Sequence, residues 1–205
     1  MTRLITKTIL LIMLTSLGYS CSKSSNRQEP RVSYADSLKL VRTQLNKELK
    51  NNLNSPIPKS KRERFVGLKY FSPNPQWNVT TKLTLLDANE KVIMVTSTGE
   101  QRDMVKLCKL NFIYEEEQFE LYGYGEFNSS FKELFIPFFD ETNGVETYPG
   151  GRYLEIPLIE SDSIKLDFNL AINPYCHYNT GYSCPIPPIS NTLAIRVDAG
   201  EKLLY

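Results

Sequence analysis

Two periodicities divide the chain. Leu38, Val41, Leu45 and Leu49 recur at spacings of three and four, the apolar stripe of an amphipathic helix. Ser33-Tyr34-Ala35-Asp36 gives it a capping-box-like start, and Asn51-Asn52 with Ser55-Pro56-Ile57-Pro58 ends it, so one helix is predicted over about 34–50. From Phe65 onward the period falls to two. Val79, Thr81, Leu83 and Leu85 alternate with Thr80, Lys82 and Thr84, and a β-branched run returns over 91–98 after Asp87-Ala88-Asn89-Glu90. Segments 104–114 and 119–127 read as the arms of a hairpin around Glu115-Glu116-Glu117-Gln118. Segment 134–139 is strand-like, with Pro137 marking an edge or a bulge. Segments 153–158 and 164–170 pair around Glu160-Ser161-Asp162, and Leu193, Ile195 and Val197 make a last strand.

Such a succession of short strands and turns predicts a mainly β fold: an antiparallel β-barrel or β-sandwich of eight to nine strands with one N-terminal amphipathic helix. Nothing helical separates the strands, which argues against a parallel α/β sheet.

The amino terminus adds a location. Arg3 and Lys7 precede an apolar run from Ile9 to Leu17, shorter than the roughly 20 residues a spanning helix needs. Gly18 and Ser20 then precede Cys21 in an arrangement that resembles a bacterial lipobox. The expectation is a signal peptide over 1–20, lipidation at Cys21, a polar tether over 21–32 and a single β-rich domain over 33–205. Acyl chains on Cys21 would anchor the chain to a membrane without a spanning helix. No acidic export signal follows the cysteine, which favours a periplasm-facing position. The net charge of +1 becomes −1 once Arg3 and Lys7 are removed with the leader. That near-neutral balance gives no electrostatic case for nucleic acid as a partner.

Candidate chemistry concentrates late in the chain. The acidic turn Asp140-Glu141-Thr142-Asn143-Gly144-Val145-Glu146 leads to Gly150-Gly151-Arg152, where converging backbone N–H groups and a guanidinium fork could hold a carboxylate or phosphate. The competing reading makes Gly150 and Gly151 a simple turn, with Arg152 neutralised by Asp140, Glu146 or Asp167. Asp167 and Asn169 alternate with Ile164, Leu166, Phe168 and Leu170 and so share the other strand face. Asp140 or Glu146 with Asp167 could form a hydrolytic carboxylate pair. No nucleotide-binding loop, Ser/His/Asp order or paired-histidine motif occurs, and no cofactor is implied.

Asn173-Pro174-Tyr175-Cys176-His177-Tyr178 and Cys184-Pro185-Ile186-Pro187-Pro188 then crowd cysteines, tyrosines and prolines together with the single histidine. Outside the cytoplasm Cys176 and Cys184 could form a disulfide that stiffens this loop. The alternative is a zinc site of Cys176, His177 and Cys184 with Asp140 or Asp167. Cys108 shares a strand face with Leu110 and Phe112 and reads as a buried, inert thiol.

Taken in order, these motifs resemble the family known as domain of unknown function 1684. They are Phe65 to Phe71, Glu146-Thr147-Tyr148 with Gly150 to Leu154, Leu166-Asp167-Phe168-Asn169, Asn173 to Cys176, Cys184 to Asn191, and Ala199-Gly200-Glu201. The resemblance covers roughly residues 35–203. Pro149 and His177 depart from that family's pattern, which argues against a family-wide role for His177. The resemblance implies a prokaryotic domain and supplies no reaction.

The leading functional expectation is a noncatalytic binding module of the bacterial envelope, with a polar pocket where 140–152 meets 173–188. Its candidate ligand residues are Asp140, Glu146, Gly150, Gly151, Arg152, Asp167, Asn169, Asn173 and Tyr175, and its partner a small anionic or carbohydrate-like ligand or an envelope protein. The alternatives are an envelope hydrolase built on the carboxylates, with or without a metal, and a purely structural lipoprotein.

Overall fold

The structure, a computed structural model, describes residues 32–87, 90–127 and 130–204. The leader and lipidation site at Cys21 lie outside these residues. Seven strands form one sheet: β1 (Asn78–Leu85), β2 (Lys91–Val95), β3 (Gln101–Tyr114), β4 (Glu117–Glu126), β5 (Glu133–Phe138), β6 (Arg152–Pro157) and β7 (Ser163–Asp167). Their order is β6-β5-β4-β3-β1-β7, and β2 pairs with β3 off that path. Every pairing is antiparallel. β6 and β7 end the path without pairing to each other, so among the described residues the sheet is a curled half-barrel. It is neither the closed barrel nor the two-sheet sandwich expected from the strand pattern.

The missing piece is the predicted strand at 193–197. Its backbone is held by side chains at one end, where the Val197 N–H donates to Asp140 Oδ2 at 3.0 Å and the Val197 and Ala199 carbonyls accept from Arg152. Single backbone bonds hold it elsewhere, the Ile195 carbonyl accepting the Glu141 N–H at 3.1 Å. The Leu193 N–H reaches Phe139 O at 2.9 Å, beside an isolated parallel bridge between Phe139 and Thr192. With its donors and acceptors satisfied this way, the segment forms no ladder.

Pro137 lies inside β5, a strand flanked on both sides. The β4–β5 ladder reaches only from Tyr124 to Phe135, and the next opposed position would need an N–H that proline lacks. The Asn191 side chain stands in that gap. Its amide donates to Tyr122 O at 2.9 Å and to Pro137 O at 2.7 Å, while its oxygen accepts the Tyr122 N–H at 2.9 Å. A buried asparagine thus replaces the ladder that proline prevents.

The inner face of the sheet follows the period-two pattern. Leu83, Leu110, Leu121, Leu134, Ile136, Leu154 and Leu166 are buried around Trp77 and Phe168. Trp77 sits in the 3-10 turn Pro75–Trp77 before β1, stacked on Tyr114 at 3.9 Å between ring centroids, and its indole N–H donates to Asp198 at 2.8 Å.

Helix α1 (Tyr34–Asn51) starts at Ser33, whose hydroxyl oxygen accepts the Asp36 N–H at 3.1 Å. Leu38 and Leu49 are buried and Leu45 is partly so, but Val41 is 52% exposed. Arg42 takes the inward position instead. Its guanidinium donates to Phe71 O and Asn169 O and lies 4.3 Å from the Tyr70 ring centroid. The buried stripe therefore runs through an arginine, which an apolar-only pattern does not count.

Candidate functional site

The acidic turn is self-contained. The Asp140 carboxylate accepts from the Thr142 N–H at 3.2 Å, the Thr142 hydroxyl at 2.8 Å, the Val197 N–H at 3.0 Å and Arg152 Nη2 at 3.0 Å. Both side chains of the Asp140–Arg152 pair are 0% exposed. Arg152 also donates to the Val197 and Ala199 carbonyls. Burial pulls its pKa down, and Asp140 is the chief influence holding it charged. Gly151 adopts φ +86°, and an added Cβ would meet Phe138 O at 2.8 Å and Pro187 Cγ at 2.6 Å. Its N–H donates to Tyr148 O at 3.1 Å, so Gly151 closes a tightly packed turn and its N–H is not free for an anion. Glu146 is ion-paired with Lys202 at 3.0 Å and with Arg196. Of the two readings of Arg152, neutralisation by Asp140 is the one the geometry displays.

Asp167 and Asn169 do not share a strand face. β7 ends at Asp167, whose carboxylate caps the following 3-10 turn by accepting the Asn169 N–H at 3.0 Å. It also accepts from Tyr34 Oη at 2.8 Å. Asn169 turns inward and exchanges hydrogen bonds with the Asn74 backbone, Nδ2 to O at 2.7 Å and N–H to Oδ1 at 2.8 Å. Asp140 and Asp167 bond to different partners, Arg152 and Thr142 for the first and Tyr34 and Asn169 for the second.

Asn173 belongs to a second buried cluster. Its backbone N–H donates to Glu201 Oε2 at 3.1 Å, and its Nδ2 donates to Glu201 Oε1 and Lys202 O, each at 3.0 Å. Tyr178 Oη also donates to Glu201. Burial pushes the Glu201 carboxyl up to about 7, although Tyr178, Asn173 and Arg152 all favour its charged form.

An open groove lies elsewhere, where the segment around 172–185 crosses the sheet beside β4, β5 and β6. It encloses about 430 Å³. Its walls include Phe131, Phe135, Tyr153, Tyr175 and Tyr182, with Arg102, Lys132, Glu133 and Glu155 among its charged groups. Tyr175 and Tyr182 meet edge to face at 5.4 Å, and Phe135 meets Tyr153 likewise at 4.7 Å. Arg102 Nη2 donates to Ser183 O at 2.7 Å, tying one wall to the loop. Enclosure in the groove, then the nearby Glu133, raises the pKa of Glu155. Of the predicted ligand residues only Asn173 and Tyr175 line this groove; the 140–152 turn contributes none of its lining. Arg102, Tyr153, Glu155 and Tyr182 were missed. Period two along β6 could have found two of them, because Tyr153 and Glu155 occupy the face opposite Arg152 and Leu154.

The loop cysteines are brought together as free thiols. The Cys176 N–H donates to Cys184 Sγ at 3.2 Å, and Cys176 Sγ lies 3.5 Å from Tyr148 Oη. A hydrogen bond from the Cys184 thiol lowers the pKa of Cys176. His177 points away from them: its Nε2 accepts the Leu204 N–H at 3.2 Å, and its ring packs against Tyr148 and Tyr178. Among the described residues no group of three or more His, Cys, Asp or Glu side chains is placed to hold a metal ion. The Cys176–His177–Cys184 alternative fails on this geometry, since its histidine and both candidate aspartates are engaged elsewhere.

Fold and site together define a class: a curled antiparallel β domain with buried polar clusters around Arg152 and Glu201 and an aromatic-walled groove under a cysteine-bearing loop. The chain belongs to the family described as Protein of unknown function (DUF1684), whose model matches residues 63–202. The solution NMR structure of an uncharacterized protein from Haloarcula marismortui is similar, with 36% sequence identity and a TM-score of 0.65 over 81% of this chain and 92% of that one. No curated protein matches the chain.

Proposed function

We propose that the protein is a noncatalytic binding module whose ligand site is the groove beneath the 172–185 segment, and that its ligand is neutral and carbohydrate-like. The carrying observation is the groove's lining: flat aromatic faces interrupted by a few charged hydrogen-bonding groups of both signs. Aromatic walls offer apolar contact to sugar rings, and a few polar groups orient hydroxyls. The anionic version of this reading depended on Arg152, which is buried with both terminal nitrogens bonded to Asp140 and backbone carbonyls. The hydrolase reading gains no support from three carboxylates held in separate clusters.

Tyr175 gives the test. Its side chain is 47% exposed, so Tyr175→Ala should leave the fold intact. Titration with a panel of neutral oligosaccharides, followed by NMR, should shift resonances of Tyr153, Tyr175 and Tyr182. Tyr175→Ala should weaken the same binding about tenfold. A panel that perturbs none of these residues would remove the proposal.

The sequence also motivates an anchor at Cys21 that holds the groove toward the periplasm. In a bacterial host given labelled palmitate, the full chain should take up label and Cys21→Ser should not. An unlabelled parent chain would end the lipoprotein reading.

A further inference from the structure

Cys184 lines the groove, and Cys176 lies buried behind it on a differently supported segment. The segment carrying Cys184 is clamped to the turn after β2: the Ser97 N–H donates to Cys184 O at 2.8 Å, the Cys184 N–H to Ser97 Oγ at 3.1 Å, and the Ile186 N–H to Val95 O at 2.8 Å. Cys176 sits on the separate 3-10 turn Tyr175–His177. The two residues already face each other, through the N–H to Sγ hydrogen bond at 3.2 Å. The tyrosines of the rim are bound to this pair by sequence, since Tyr175 immediately precedes Cys176 and Tyr182 lies two residues before Cys184.

We propose that Cys176 and Cys184 are a reversible redox pair that forms an intramolecular disulfide by exchange with a small-molecule disulfide, fixing the Tyr175–Tyr182 wall of the groove. Cys184 lines the groove, and its thiol keeps its proton by bonding to Cys176, which leaves Cys176 the more acidic of the pair. The Cys176 thiolate attacks one sulfur of the incoming disulfide, forming a mixed disulfide and releasing one small thiolate, which takes up the Cys184 proton. Cys184 Sγ then attacks Cys176 Sγ; the Cys176–Cys184 bond forms and the second small thiolate leaves. Two protein thiols are oxidised and one external disulfide is reduced to two thiols. The hydrogen bond from Cys184 that lowers the Cys176 pKa makes Cys176 the reactive, attacking thiol. Cys108 serves as an internal control. It is 0% exposed, packs against Gly123, and burial raises its pKa to about 11.

The test equilibrates the full chain in glutathione buffers from fully reduced to fully oxidised, quenches with acid, alkylates and maps peptides by mass. The linked Cys176–Cys184 peptide should appear with oxidised glutathione and disappear with reduced glutathione. Cys184→Ser should trap glutathione on Cys176 and not on Cys108. Hydrogen exchange over 175–183 should slow about tenfold on oxidation. The proposal is overturned if both thiols stay alkylatable at every ratio, if the link resists reduced glutathione, if the adduct settles on Cys108, or if exchange over 175–183 is unchanged. The wall-fixing step matters for binding only if the groove reading above holds. Because no arm of the test uses a ligand, its failure is distinguishable from failure of that reading.

Discussion

Arg152→Met is expected to lower the unfolding free energy by about 3–5 kcal/mol, read as a fall in the urea midpoint at unchanged slope. The loss does not measure the strength of an ion pair. With the guanidinium gone, the Asp140 carboxylate remains buried among Thr142 and Val197 with no counter-charge. The Val197 and Ala199 carbonyls also lose their donors. Asp140→Asn in the same chain removes the stranded charge, so the double variant should be more stable than Arg152→Met alone. Arg152→Lys should fall in between, since an ammonium keeps the charge but cannot reproduce the fork. Stability of Arg152→Met within about 1 kcal/mol of the parent would show that the pair is solvated and not structural.

Arg152 also shows what the sequence could and could not convey. The strands of the half-barrel were legible because alternation is a local property: β1 and β7 alternate closely, and β3 does so from Cys108 to Phe112, beyond the bulge at Lys106. Carrying the β6 alternation back two residues from Leu154 would have placed Arg152 on the core face, where a charged residue must find a partner. The choice of Asp140 as that partner was not legible, because it depends on how the 140–147 turn folds back on Val197. The end of β7 was illegible for a similar reason. Asp167 fits the strand pattern as well as any residue, but its carboxylate caps the Asn169 N–H and starts a turn. Asn191 replaces ladder bonds between Tyr122 and Pro137, strands more than fifty residues earlier in the sequence, and no local pattern marks such a role. The groove was half-legible. The proline- and cysteine-rich loop announced a special shape, while its opposing wall came from outward-facing positions that read as ordinary solvent-exposed strand.

Glu201 yields the largest expected dependence on pH. Its carboxyl is raised to about 7 in the folded protein against 4.5 for the ordinary value, with burial the leading cause. The unfolded chain therefore releases this proton first as pH rises, and stability falls across the window from 4.5 to 7. Below the window the neutral form satisfies both states and the contribution is fully present. Above it the folded protein must carry a buried carboxylate, and the loss levels off at about 3 kcal/mol. His177 works in the opposite direction. Burial lowers its pKa below the ordinary 6.5, so it favours the folded state as pH rises toward neutrality. Comparison with Glu201→Gln separates the two. Urea melts of the parent chain at pH 5 and pH 8 should differ by more in the destabilising sense than those of the variant. Glu201→Gln should carry instead a pH-independent cost of about 1–3 kcal/mol. That cost arises because the amide NH₂ is set against the Asn173 N–H or against the Tyr178 hydroxyl and Asn173 Nδ2, all of which donate. If parent and variant lose stability in parallel from pH 5 to pH 8, Glu201 titrates at its ordinary value, and the buried cluster with Asn173 and Tyr178 holds it as a well-accommodated carboxylate.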